Sequence, residues 1–154
     1  MKKILIQTFI ISLFFVSLYA KADIKSITEG NVDAKVKLIV FESLTCSHCA
    51  DFHKNVYPSL KTDFIDNGLI SIEFRNFPLD MAAFNAAKIA HCKNDGKSEI
   101  LHHLYNNQSS WVRGSTIEDL NKNLKRVVQE SGFKLDFDKC LSLIHISEPT
   151  RRGI

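Results

Sequence analysis

Proline and glycine are scarce in this sequence, three and six residues in 154, and they do not cluster. A Gly/Pro-rich linker or low-complexity arm is therefore excluded, and no internal repeat is visible. An excess of one charge is lacking as well. The formal +3 arises at the two ends: without Lys2, Lys3, Lys21, Glu148, Arg151 and Arg152, residues 23–140 carry 15 basic and 16 acidic side chains, interspersed. No basic stripe could track phosphates, so nucleic-acid binding has no support. Beyond the N-terminus no apolar run is long enough to span a bilayer.

What is present begins with a leader. Met1-Lys2-Lys3 gives a positive start, Ile4 to Leu18 is mostly apolar, and Ala20-Lys21-Ala22 has the small-x-small pattern of a signal-peptidase site. Residues 1–22 read as a signal peptide cleaved before Asp23, which places the protein in the periplasm. An uncleaved anchor is the alternative, although Gln7, Thr8 and Ser12 interrupt a run already short for a bilayer. At the other end, Leu141 to Arg151 reads LSLIHISEPTR and resembles the in-frame translation of a transposase-type sequencing adapter. Residues 141–154 are accordingly expected not to be native, with natural sequence continuing past Cys140.

Between these ends the hydrophobic spacing changes period. Leu38-Ile39-Val40-Phe41 reads as a central strand buried on both faces. Cys49, Phe52, Val56, Leu60 and Phe64 then recur at helical spacing, with Pro58 expected to kink the helix and Asn67-Gly68 to end it. Leu69 to Arg75 alternates as a strand. Strand, helix and strand make a βαβ unit with parallel strands. Helices follow over Met81–Lys93, capped by Asp80; over Ser98–Tyr105; after the capping box at Thr116; and from Asp136, carrying Cys140.

The chemistry lies in Cys46-Ser47-His48-Cys49, where strand hands over to helix. A helix N-terminus favours an anion, and such sites bring a cysteine from ~8.5 into the range of about 3.5–7.5. Cys49, three residues on, shares the helix face and should be the deeper, resolving sulfur. His48 can add positive charge or a hydrogen-bond donor. A stabilised thiolate favours the reduced form and makes the disulfide oxidising. The rival reading is a zinc site completed by His53, His91 and Cys92, but no second closely spaced ligand pair follows. By itself the cysteine count leaves three pairings open.

Phe41 to Cys49, FESLTCSHC, resembles the active-site segment of DsbA-like proteins, and Phe74-Arg75-Asn76-Phe77-Pro78-Leu79 resembles the segment before that family's helical insertion. The likeness runs from about Ile27 to Cys140. It implies an α/β thioredoxin-like fold over 23–140, with a helical insertion at 81–140 and without the family's C-terminal strand–strand–helix half. It implies attack through Cys46, resolution by Cys49 and a supporting His48. Exported polypeptides are the implied substrates, a membrane-bound partner reoxidises the pair, and no cofactor is needed. Disulfide isomerase or reductase activity is the near alternative. Ser47 stands where the family usually has proline, and the family's cis-proline loop is not matched; neither Pro78 nor Pro149 takes that role. Family members with an extra disulfide in this region favour Cys92–Cys140 as a structural staple over a second redox pair.

Simpler readings are expected elsewhere: Glu42 as a strand-end surface carboxylate rather than a group that tunes a thiol or moves protons, His102 and His103 as solvated helix residues, and Trp111 as an anchor of the helical layer.

Overall fold

The computed structural model describes residues 24–143. The leader at 1–22 and the adapter-like stretch from residue 144 onward lie outside them. Three strands form one sheet in the order β1–β3–β2: β1 is Ile27–Gly30, β2 Val36–Glu42 and β3 Ile70–Asn76. β2 and β3 run parallel, with Leu38 opposite Ile72 and Val40 opposite Phe74, as the βαβ reading requires. β1 pairs antiparallel with the other edge of β3, Ile27 opposite Phe74. Sequence spacing does not reveal this strand: four residues, ITEG, are too few to show a period.

The centre of the sheet is β3, not β2. Ser71, Ile72, Glu73 and Phe74 are all buried, whereas Val36, Ile39 and Phe41 on β2 are exposed. This corrects the expectation of a central, doubly buried β2: among the described residues only β3 has a strand on both sides. Its buried Glu73 is held by Lys37 across the sheet at 2.6 Å and by Arg75 at 2.8 Å. At the end of β1, Gly30 adopts φ +88°, and a Cβ there would stand 2.7 Å from the Ile70 carbonyl oxygen.

The crossover is one helical rod, α1, over 47–65. It alternates α-helical Ser47–Asp51 and Tyr57–Leu60 with wider π turns at Phe52–Val56 and Lys61–Ile65. Pro58 has no amide hydrogen to give, and the rod accommodates it by opening the turn before it. Tyr57 N–H reaches back five residues to Phe52 O. Gly68, with φ +71°, ends the rod.

The remaining elements are helices: α2 Met81–His91, α3 Glu99–Asn106, α4 Gln108–Trp111, α5 Ile117–Glu130 and α6 Phe137–Leu141. Asp80, Thr116 and Asp136 each accept a hydrogen bond from the amide three residues on, so the expected caps form. The short helix α4 was not apparent in the sequence. It carries Trp111, fully buried, whose indole N–H donates to Leu104 O at 3.0 Å. The alanine face of α2 (Ala82, Ala86, Ala90) lets neighbouring elements approach closely over a core shared with Ile27, Ile72, Leu101, Leu104 and Leu124. Among the described residues no helix is long and apolar enough to cross a membrane.

Candidate active site

Cys46 is the residue before the first turn of α1, in extended conformation (φ −75°, ψ 120°), and its carbonyl accepts the first helical hydrogen bond from Ala50 N–H at 3.2 Å. The chain turns there because Cys46 N–H is held by Ser43 O at 3.0 Å. The free amides of the helix start then point at the sulfur. The Cys49 amide is the largest influence lowering the Cys46 pKa; partial burial opposes it, and the Cys49 thiol and His48 amide add to it. Cys49 behaves oppositely. Burial, the largest influence, outweighs the lowering by the Ser43 backbone, and the neighbouring Cys46 and then the charge of Glu42 add to it, so that the thiol is pushed up to about 11. Both cysteines are free thiols. The pair is asymmetric: the surroundings favour the thiolate form at Cys46 and the thiol form at Cys49.

His48 lies exposed on the outer side of the turn, contributing its amide to Cys46. Cys92 and Cys140 are bonded to each other, Cα to Cα 5.3 Å, and join the end of α2 to α6. They are remote from Cys46 in the chain, and Cys140 is fully buried.

The loop carrying Cys46 is fixed by residues that spacing alone does not mark. Gln108, at the start of α4, donates from Nε2 to both Leu44 O and Cys46 O at 2.9 Å. Thr45 donates to Asp80 Oδ2 at 2.7 Å while Asp80 Oδ1 caps α2, so one carboxylate holds a helix and the active-site turn together. Phe77 N–H reaches Glu42 O at 2.7 Å, and Leu79 N–H reaches Ser43 Oγ at 3.3 Å. No local pattern announces Gln108.

Two expectations are corrected here. Glu42 is buried, not a surface carboxylate: β2 delivers its last side chain inward, beneath the start of α1. Its Oε2 meets His53 Nε2 at 2.7 Å, and its Oε1 has no hydrogen-bond partner among the described residues. Tyr105 Oη lies near it without meeting it in hydrogen-bond geometry; burial first, then the charges of Glu42 and the two thiols, push the phenol far above its usual range. His102 and His103 are not simply solvated. His102 contacts His53 Nδ1 at 2.9 Å and Glu29 Oε1 at 2.7 Å, and His103 packs edge-on against Phe133. The proposed zinc ligands do not converge: His53 is committed to Glu42 and His102, His91 contacts Asn76 Nδ2 at 2.7 Å, and Cys92 is in a disulfide. Among the described residues no three such side chains are placed so that they could hold one metal ion.

Comparison with known proteins matches residues 22–147 to the family described as Thioredoxin. A "Putative protein-disulfide oxidoreductase" of Rickettsia bellii is 31% identical over 131 residues, covering 83% of this chain and 49% of the relative. "Disulfide bond formation protein D" of Bacillus subtilis is 25% identical over 119 residues, covering 71% of this chain and 53% of that protein. Among solved structures, alpha-DsbA1 of Wolbachia pipientis superposes with a TM-score of 0.67 at 34% identity, over 76% of this chain and 59% of that one. The chain thus spans about half the length of the curated relatives it matches.

Proposed function

Since the chain belongs to the thioredoxin family and its relatives are DsbA-like, we propose that it is an exported thiol–disulfide oxidoreductase that oxidises cysteine pairs in polypeptides of the periplasm. The observation that carries this reading is the asymmetry of the two sulfurs. Cys46 is lowered by the amides of Cys49 and His48, and Cys49 is raised by burial. A disulfide between them is opened by a substrate thiolate attacking the outer sulfur, Cys46, because Cys49 lies deeper. The S–S electron pair leaves on Cys49, and a mixed disulfide joins substrate to Cys46. A second substrate thiolate then attacks the substrate sulfur and expels Cys46, a good leaving group because its thiolate is stabilised. Both cysteines end reduced, and a membrane-bound disulfide carrier restores them.

Protein substrates fit the surroundings. Phe77 and Leu79, on the loop tied to Glu42 and Ser43, and Met81 at the start of α2 are all more than half exposed, and give an unfolded chain an apolar surface next to the segment that leads into Cys46. The Cys92–Cys140 bond suits an oxidising compartment. In this reading His48 supplies its amide and a solvent-facing imidazole, and Cys92–Cys140 is structural.

The test is mixed-disulfide trapping: each variant is first charged with oxidised glutathione and then met by a reduced, unfolded disulfide protein, whose thiolate displaces glutathione as the adduct forms. Cys49→Ser is expected to accumulate a substrate adduct at Cys46, whereas Cys46→Ser forms none. Adduct at neither cysteine sinks the reading. The equilibrium with glutathione then separates the directions: an oxidising pair supports net oxidation, and a strongly reducing one moves the assignment to reductase or isomerase.

A further inference from the structure

Four titratable side chains beneath the cysteine pair form an unbroken hydrogen-bonded chain. Glu42 Oε2 meets His53 Nε2 at 2.7 Å, His53 Nδ1 meets His102 Nδ1 at 2.9 Å, and His102 Nε2 meets Glu29 Oε1 at 2.7 Å. The Tyr57 hydroxyl donates to the other Glu29 oxygen. Stacking holds both rings in place: His53 lies 4.0 Å from Tyr105 and His102 4.2 Å from Tyr57, centroid to centroid. Side-chain exposure is 2% at Glu42 and 1% at His53, then 18% at His102 and 15% at Glu29. The array therefore leads outward, to an open depression lined by His53, Lys54, Tyr57, Lys61, Asp66 and His102.

Proton counting says what this array holds. Each of its three contacts needs one hydrogen, because neither a carboxylate oxygen nor a bare ring nitrogen can donate. Two neutral imidazoles with two carboxylates carry only two. The array thus retains a third proton. Glu29 is the ionised end: burial would raise its carboxyl, but hydrogen bonds from His102, Ser98 and Tyr57 outweigh that and hold it at about 2. His102 therefore carries hydrogen on Nε2. The other two protons each lie within one contact and can sit on either atom of it, so a short hop moves charge along the array.

We infer that Glu42, His53, His102 and Glu29 form a proton relay that serves Cys49. This rests on dithiol–disulfide exchange at Cys46 and Cys49. When a substrate thiolate bonds to Cys46, the S–S electron pair leaves on Cys49. The Glu42 carboxyl, holding the proton of its His53 contact, turns it toward that sulfur, and a proton from solvent enters at the outer end, through Glu29 and on to His102, to refill the array. In the reverse direction the Cys49 proton passes to Glu42 as its sulfur attacks Cys46, and a proton leaves at the outer end. A deep thiol raised to about 11 needs such a route in both directions. The groups that face Glu42 are His53 from α1, Tyr105 from α3 and the two thiols; those facing the outer end are Tyr57 and, through their charges, Lys61 and Asp66.

A relay changes rates and not the equilibrium, which separates it from a structural or electrostatic role. Single-turnover exchange of the full chain with glutathione, followed in both directions across pH and in light and heavy water, reads both. His102→Gln is expected to slow oxidation and reduction by the same factor, at least about tenfold. The equilibrium constant with glutathione should stay put, and the solvent isotope effect and pH profile should change. Glu29→Gln keeps one carbonyl oxygen to accept from His102 but removes the charge and the second acceptor, and is expected to slow both directions in the same symmetric way, should His102→Gln not fold. A shifted equilibrium constant with unaltered pH profile and isotope effect overturns the relay, as do both variants exchanging at wild-type rates. Wild-type chain that exchanges with no thiol fails at the proposed function itself.

Discussion

Glu29 sits between an imidazole and a phenol, and its acidity ties the relay to stability. Its carboxyl is held at about 2 against an ordinary 4.5, burial being outweighed by the hydrogen bonds of His102, Ser98 and Tyr57. A depressed carboxylate stabilises the fold fully above its unfolded value, and that contribution disappears as pH falls through the folded value. Wild type should therefore lose up to about 3 kcal/mol between pH 4.5 and 2 that Glu29→Gln does not have to lose. Denaturant unfolding of the two proteins across that window measures the difference; parallel curves would remove Glu29 from the account. At this scale the sequence was partly legible. Cys46 and Cys49 stand out by spacing and by their place at a strand-to-helix junction. Glu29, Glu42, His53 and His102 lie on four elements, and only tertiary packing brings them together. One signal was available: His53 follows Cys49 by four residues, on the face that α1 turns inward.

Asp80 does two jobs for two elements. Oδ1 caps α2 through Ala83 N–H and Oδ2 holds Thr45, each at 2.7 Å. Thr116 caps α5 through Asp119 N–H and does nothing for the active-site turn. Asp80→Ala and Thr116→Ala are each expected to cost about 1 kcal/mol in stability, the usual worth of an N-cap. Only Asp80→Ala should alter the alkylation rate of Cys46, because only Asp80 anchors the turn. Equal alkylation rates in both variants would show that Gln108 and Ser43 hold the turn without Thr45. The same caps explain why most helices could be placed beforehand: capping side chains and helical periodicity are local properties. β1 and α4 are not local in this sense. ITEG is a strand because β3 offers it an edge, and the helical turn at 108–111 is fixed by Trp111 entering the core. Which strand lies at the centre was misread for a related reason. Val36 to Phe41 is as apolar as a buried strand, but burial is set by neighbours, and only β3 has them on both sides.

At the scale of the whole molecule, the Cys92–Cys140 bond closes a loop of 48 residues that contains α3, α4 and α5. Closing a loop of that length removes freedom from the unfolded chain worth about 4 kcal/mol. Lys88 Nζ supports the same junction by donating to Leu141 O at 2.9 Å. A small three-stranded sheet contributes little core of its own, so much of the apolar burial lies in the helical layer, around Leu101, Leu104, Trp111, Leu124 and Val127. Cys92→Ala/Cys140→Ala should therefore lower Tm substantially while leaving the trapping of substrate at Cys46 in Cys49→Ser intact below the new melting point. Thermal unfolding of oxidised wild type and the double variant gives the first quantity, and adduct formation at low temperature gives the second. If the double variant keeps its Tm but loses exchange, the bond belongs to the electron path as a second redox pair, and the structural assignment falls. The geometry argues for the staple: Cys140 is fully buried and its bond ties α2 to α6, whereas Cys46 waits at the accessible mouth of α1.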